Sequence, residues 1–444
     1  MDKNNQLETA PIGKLVFKLA IPTVMAQLVN LLYNIVDRIY VGRIPEIGSL
    51  SLAGLGVTFP IILLVSAFAM LAGMGGASRA AVSMGEKDND KAEKILGNCT
   101  MLLIIFSVVL AVVFMLTKNQ ILMKFGASEA TLPYASDYIS IYLVGTIFVQ
   151  IALGLNLFIT NQGFAKTSMM TVCIGAVLNI VLDPIFIYVF GMGVKGAALA
   201  TIISQGVSCL WVLKFLTGKK TVLKIRLKNL VLDGKIVTSV LSLGVSPFIM
   251  QATECLIQLT FNNGMLKYGN DLYVALMSIL FSLTQLIWMP LNGFSQGAQP
   301  VIGYNYGAKE YKRVNKIYNL ALMIAFGIMA VGTALFMFTP ETFMKMFTTQ
   351  PSTITAGASA LRIISCGFIV SSVSVVSSGA LEGLGKGNES LAVSLLRYLI
   401  IIVPLAFVLS QFFGVSGVWH SFWITEAITA IISYIIYKKA LLKK

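Results

Sequence analysis

The stretch GKKTVLKIRLKNLVLDGK (218–235) lies almost at the midpoint of the 444-residue chain and is its longest basic, polar segment. On either side of it the sequence is apolar nearly throughout. Hydrophobic residues make up 57% of the chain and charged residues 12%, where a soluble chain carries roughly a quarter charged residues. The segment therefore reads as a linker between two membrane-embedded halves, not as a loop of a soluble domain.

Outward from the linker, apolar runs of about twenty residues recur in both directions, each long enough to cross a hydrocarbon core of about 30 Å. In lipid every backbone polar group must be satisfied, which leaves helices or a closed barrel. Runs such as 101–116 do not alternate as barrel strands do. Twelve helical spans are predicted, at 15–41, 52–84, 95–117, 134–160, 168–190, 196–217, 236–265, 272–303, 314–339, 355–380, 390–411 and 416–437. The expected organisation is an all-α membrane protein: an N-terminal six-helix lobe (1–217), the basic cytoplasmic linker (218–235) and a C-terminal six-helix lobe (236–444).

The two halves repeat. At an offset of about 222–225, Ile21–Pro22 falls on Ser246–Pro247, Gly85 on Gly307, Lys87 on Lys309 and Gly145 on Gly367, and near the ends, at 221, GVKG (193–196) falls on GVSG (414–417). Six is an even number of crossings, so the halves share one orientation and form a parallel repeat, an arrangement in which transporters hold substrate between lobes. About 23 of the 33 Lys and Arg fall on the linker's side of the membrane and about six on the other. The positive-inside rule then places both termini in the cytoplasm of a multi-pass plasma-membrane protein.

That distribution also accounts for the net charge of +14. The basic residues sit in short loops, so no nucleic-acid partner is expected. The N-terminal segment MDKNNQLETAPIGK is polar and carries acids, and no small-residue cleavage site follows the first span, which reads as an uncleaved helix. Five cysteines without a CxxC pair predict neither disulfides nor a zinc site. No Walker motif is present, which argues against ATP as the energy source. One histidine, His420, and no clustered acid motif argue against an enzyme, and no cofactor is expected beyond a coupling ion.

Function should sit where polar residues enter the spans, because a charge at the bilayer centre costs about 2.5–3.5 kcal/mol on insertion scales. In the first span Gln27, Asn30, Tyr33, Asn34 and Asp37 form one polar stripe, with Tyr33 and Asp37 stacked one turn apart. The fifth span adds Asn179 and Asp183, the fourth Asn156 and the sixth Thr201. Two carboxylates with amides, a phenol and a hydroxyl suit a proton site, since neighbouring carboxylates favour holding a proton between them. Their oxygens would equally ligate Na⁺ at Asp37, Asp183 and Asn179. Asp183 precedes Pro184, so a cap on a helix break is the structural alternative.

The second half carries its own stripe in span 7: Gln251, Glu254, Gln258 and Asn262. Glu254, Gln258 and Asn262 are candidate cavity residues with Gln27, Asn34 and Trp288, and Glu254 is a candidate ion site. Phe261, Met265, Phe281, Met289 and Phe294 could line an adaptable apolar cavity. Glu382 and Glu426 are expected to be salt-bridged or interfacial, and His420 a bystander. Pro22 and Pro247 occupy equivalent places, and a bend at Pro22 would move Asp37, making Pro22 the candidate hinge.

These residues resemble the multidrug and toxic compound extrusion (MATE) family. The resemblance rests on IP…YNIVDRIYVGR (21–43), the glycine-plus-basic loop after span 2, LNIVLDPIF (178–186), GVKGAALAT and ALEGLGKGN after span 10. It implies two six-helix bundles and antiport of amphipathic, chiefly cationic compounds against H⁺ or Na⁺, by a monomer. By position, Asp37 resembles the coupling acid of DinF-like and related bacterial branches, with Tyr33, Asn156, Asn179, Asp183 and Thr201 as its partners. The NorM-like branch instead uses an aspartate in span 10, where this chain has Ser371. Lipid-linked oligosaccharide flipping is the rival reading, but it needs a cationic cavity, and only Arg38, Arg79, Arg362 and Arg397 lie within spans. A dedicated metabolite exporter would use the same residues as a drug pump.

Overall fold

The computed structural model describes residues 7–268, 271–348 and 350–442, apart from the side chains at 254–260, 262–268, 271–272, 274–275 and 278. Twelve helical rods follow the twelve predicted spans. They are α1 (Ile12–Gly42), α2 (Gly48–Gly85), α3 (Asn89–Lys124), α4 (Leu132–Val144 and Thr146–Asn161), α5 (Ala165–Pro184, continued to Val189), α6 (Val194–Thr217), α7 (Gly234–Tyr268), α8 (Asp271–Gly307), α9 (Tyr311–Phe338), α10 (Pro351–Ser365 and Phe368–Gly383), α11 (Gly387–Phe413, with a π-helical middle) and α12 (Val415–Leu442). A short turn, Pro340–Lys345, precedes α10. Among the described residues eight helices are long and apolar enough to cross a membrane, and ten if each bent pair counts as one span.

The repeat seen in sequence is present in backbone detail. α4 bends by 59° at Gly145 and α10 by 51° at Gly367. Each bend is pressed against a repeat-equivalent neighbour: a Cβ on Gly145 would lie 2.3 Å from Ile202, and one on Gly367 2.8 Å from Trp423. The loops after α2 and α8 turn through the same left-handed residue, Lys87 (φ 63°) and Lys309 (φ 62°).

Contacts divide the chain into two compact units, one gathering Met25–Gly244 and the other Val245–Lys444 together with the start of α1 as far as Val24. The first helix of each half thus begins in the unit built mainly from the other half. Glycines make room for it. In the first unit Gly75 of α2 receives the start of α7, where a Cβ would lie 2.2 Å from the Val240 carbonyl. In the second, Gly293 and Gly297 of α8 receive the start of α1, with Thr23 donating to the Gly293 carbonyl at 2.6 Å. Such small-residue seams let helix backbones approach closely where lipid offers no hydrophobic driving force.

The linker is fastened to the first unit. Gln162 Oε1 accepts from Thr221 Oγ1 and from the amides of Val222 and Leu223, each at 2.8 Å. Buried Glu93 pairs with Arg226 at 2.6 Å and accepts from the Lys224 amide. Asn98 accepts from the Asp233 amide at 2.7 Å. The described cysteines Cys99, Cys173, Cys209 and Cys366 are free thiols.

Candidate functional site

The polar stripe of α1 and the acid of α5 meet in the first unit. Asp183 is fully buried and Asp37 is 9% exposed, and each carboxyl group lies in the other's electrostatic field. Asn179, one turn before Asp183, donates to its Oδ1 at 3.2 Å and reaches Thr201 Oγ1 at 3.4 Å. Thr201 is itself held by the Ala197 carbonyl at 3.0 Å. Tyr33 lies within electrostatic reach of both carboxylates.

Pro184 explains how Asp183 is presented. Proline has no N–H to give the helix and crowds the preceding turn, yet α5 does not break. It widens into a π-helical turn over Ile185–Val189, a distortion that often marks functional sites. Asp183 is therefore within the helix, facing Asp37, rather than a cap on a break. From this turn Tyr188 donates to the Tyr40 carbonyl at 2.6 Å, and the two rings pack edge to face. That tie fixes α5 against α1 one turn beyond Asp37.

Three acceptor oxygens of the cluster, Asp37 Oδ1, Asp183 Oδ2 and Asn179 Oδ1, are buried without a donor. A buried acceptor left unpaired costs about 1–3 kcal/mol, and more when charged. Two adjacent carboxylates and an amide oxygen fit a single bound positive charge, H⁺ or Na⁺. No group of three or more His, Cys, Asp or Glu able to hold a metal ion occurs among the described residues.

Other predicted residues fall elsewhere. Asn156 donates to the Ser168 carbonyl at 3.2 Å, beside a Thr160–Ser168 hydrogen bond at 2.7 Å. On α5 that is about three turns from Asn179. Asn34 is exposed and bonded to the Asn30 carbonyl. Gln27 is half-buried, and Pro22 is buried two residues before α1 passes between units. The side chains of Glu254, Gln258, Asn262 and Met265 lie outside the described residues. Tyr138, which lies beside Thr201, and Tyr142, stacked on it with centroids 6.4 Å apart, complete the cluster without having been predicted. Their spacing of four in a span was the available signal.

In the second unit Trp288 lies under the Arg397 guanidinium, 4.7 Å from the ring centroid, and packs edge to face on Phe368. Arg397 is paired with Glu426 at 2.7 Å, so the expected salt bridge of Glu426 is present. Phe261 and Phe294 are buried in the second unit, Phe261 packing on Phe422 at 4.7 Å. His420 is bonded to Trp423. Glu382 is neither salt-bridged nor interfacial. It is 5% exposed and held by Gln299 and Ser390.

The sequence profile of the MatE family matches residues 22–185 and 247–408, one stretch in each half. The chain is 26% identical over 439 residues to the multidrug export protein MepA of Staphylococcus haemolyticus, covering 98% of this chain and 96% of that one. Among solved structures, an outward-facing multidrug resistance MATE family transporter of the MOP superfamily superposes with a TM-score of 0.94 at 26% identity, over 100% of this chain and 99% of that chain. A MATE protein in a bent conformation gives 0.93 at the same identity, over 100% and 98%.

Proposed function

From the premise that the chain belongs to the MatE family and is a membrane transporter of two six-helix bundles, we propose that it exports amphipathic, chiefly cationic small molecules in exchange for H⁺ or Na⁺ bound between Asp37 and Asp183. The observation that carries this reading is the set of three donorless oxygens around that pair. Two facing carboxylates repel unless one positive charge lies between them, so the cluster is stable loaded and unstable bare. Thr201 orients the Asn179 amide, and Asn179 in turn fixes one Asp183 oxygen, leaving the other for the ion.

For such a site to drive export, ion and substrate must favour opposite states or compete for one, since a ligand shifts an equilibrium only by its differential affinity. The course of α1 supports a mechanical link. Its second half carries Asp37 in one unit and its first half packs in the other, with Pro22 just before the handover. A bend there would change the distance between Asp37 and Asp183 and so the hold on the ion. The basic linker supports an orientation with both termini cytoplasmic, and we take the working form to be a monomer in the plasma membrane.

Ethidium efflux from pump-deficient bacteria tests the proposal. Wild-type protein should extrude the dye, and Asp37→Asn at matched expression should fall to the level of cells without it. Repeating the assay with and without Na⁺ identifies the ion. Dye retention by wild type, or export by Asp37→Asn at the wild-type rate, overturns the reading.

A further inference from the structure

The second unit holds a buried carboxylate that this mechanism leaves unused. Glu382 ends α10 and is 5% exposed, yet its hydrogen-bond partners are all neutral. Gln299 Nε2 of α8 donates to Oε2 at 2.9 Å, and Ser390 Oγ of α11 donates to Oε1 at 3.3 Å. Ser246 of α7 reaches the carboxyl as well and bonds both Ser390 and Ser394, at 2.8 and 2.7 Å. Ser246, Ser390, Ser394 and Gln299 are themselves buried. No Lys or Arg among the described residues pairs with Glu382. Lys386, in the turn just beyond it, forms no ion pair with it, the nearby Glu389 carries the same sign of charge, and Tyr318 of α9 is engaged with Ser377.

The repeat shows what packing alone requires here. At the offset of 222 set by Gly163 and Gly385, both left-handed, Glu382 corresponds to Thr160 and Ser390 to Ser168. In the first unit the same joint is closed by a neutral Thr160–Ser168 hydrogen bond at 2.7 Å. A hydroxyl therefore suffices to hold these helices together, and the carboxylate is an addition. It is a costly one, because a buried charge needs a partner charge or a full set of donors. The seam is also built to bring oxygens inward. Gly379 and Gly383 admit α8 so closely that a Cβ at Gly379 would lie 2.3 Å from Ser295 Oγ. Rotating the Gln299 amide would turn its oxygen toward the carboxylate.

We infer that Glu382, with Ser246, Gln299, Ser390 and Ser394, forms a second binding site for one positive charge, H⁺ or Na⁺, in the second unit. The cage is made of hydroxyl, amide and carboxylate oxygens, the ligands of a hard cation, and its single carboxylate matches a monovalent charge. What the bound ion contributes to export rests on the transporter reading above. Binding itself does not.

The test is pH-difference infrared spectroscopy on purified full-length protein carrying Asp37→Asn and Asp183→Asn, which removes the first-unit pair. A protonated-carboxyl band that titrates with pH and is lost on adding Glu382→Gln establishes proton binding. If Na⁺ also bleaches that band, or shifts the melting temperature only while Glu382 is present, the cage takes Na⁺. Glu382→Thr, which installs the side chain of the repeat-equivalent Thr160, is the variant expected to fold with the joint intact, and should lose the same signals. A spectrum and a melting temperature indifferent to Glu382 at every pH, with and without Na⁺, overturn the inference. Loss of ethidium export alone would not, since that outcome belongs to the Asp37 reading.

Discussion

The two units are built on one plan and handle buried charge in opposite ways. In the first, Asp37 and Asp183 face each other, neither in an ion pair among the described residues, and three oxygens of the cluster lack donors. In the second, α11 and α12, the counterparts of α5 and α6, carry a closed pair, Arg397 with Glu426, whose side chains are 8% and 13% exposed. The Arg397 guanidinium is further occupied by Tyr398 at 3.1 Å and by the Trp288 face, and Ser374 donates to the second Glu426 oxygen at 3.1 Å. α11 also has its π-helical widening, at Leu396–Ile401, and Arg397 stands on it. A π-helical widening thus follows an unsatisfied acid in α5 and carries one partner of a satisfied ion pair in α11, at different depths of the two helices. An unsatisfied site is ready for a ligand, and a satisfied one is ready to hold a shape.

Removing one charge from each should therefore act with opposite sign on stability. Arg397→Ala strands Glu426 in a dry site, and breaking a buried pair costs about 3–5 kcal/mol. We expect a large fall in the melting temperature of the purified protein, mostly recovered in Arg397→Met with Glu426→Gln. Asp37→Asn relieves two facing carboxylates and should raise the melting temperature in Na⁺-free buffer above neutral pH, even as export is lost. A fall of similar size in both variants would break the comparison, making the first-unit acids structural as well.

A smaller effect should come from the fastening of the linker. Gln162 Oε1 is the shared acceptor of three donors, whereas the repeat-equivalent position in the second half is Leu384, buried and apolar. Gln162→Ala leaves those donors without their acceptor, at a cost of about 1–3 kcal/mol. Limited proteolysis should then cut faster within 218–235 than it does in wild type. An unchanged rate would mean that the Glu93–Arg226 pair and Asn98 hold the linker by themselves.

How much of this was legible beforehand follows from what each feature needs. The spans needed only length and apolarity, and the basic linker marked the midpoint. The Asp37 and Asp183 cluster was legible because polar residues at helical spacing have no reason to enter lipid in two spans of one half. Tyr138 and Tyr142 were legible only through their spacing of four, since a phenol in a span has the composition of a lipid-facing side chain. Asn156 matched the cluster in residue type but not in depth, which depends on how far α4 runs past its bend. Glu382 was misread because the last turn of a span looks interfacial. Only the packing of α7, α8 and α11 over it shows otherwise.

The smallest expected effect tests the shared plan itself. Lys87 and Lys309 hold φ values of 63° and 62°, a region that disfavours any residue with a Cβ by about 1–2 kcal/mol. Each closes its turn with backbone hydrogen bonds, Lys87 to the Met84 carbonyl and Lys309 to the Tyr306 carbonyl, both at 3.0 Å. Glycine adopts that conformation freely but gains freedom when unfolded, so Lys87→Gly and Lys309→Gly should each lie within about 1 kcal/mol of wild type, on the stabilising side. Equal small rises in melting temperature would mean that the two loops are held by the backbone alone, as the repeat requires. A clear loss at one and not the other would show that one lysine side chain has acquired a task of its own, and the symmetry of the two units would end at that loop.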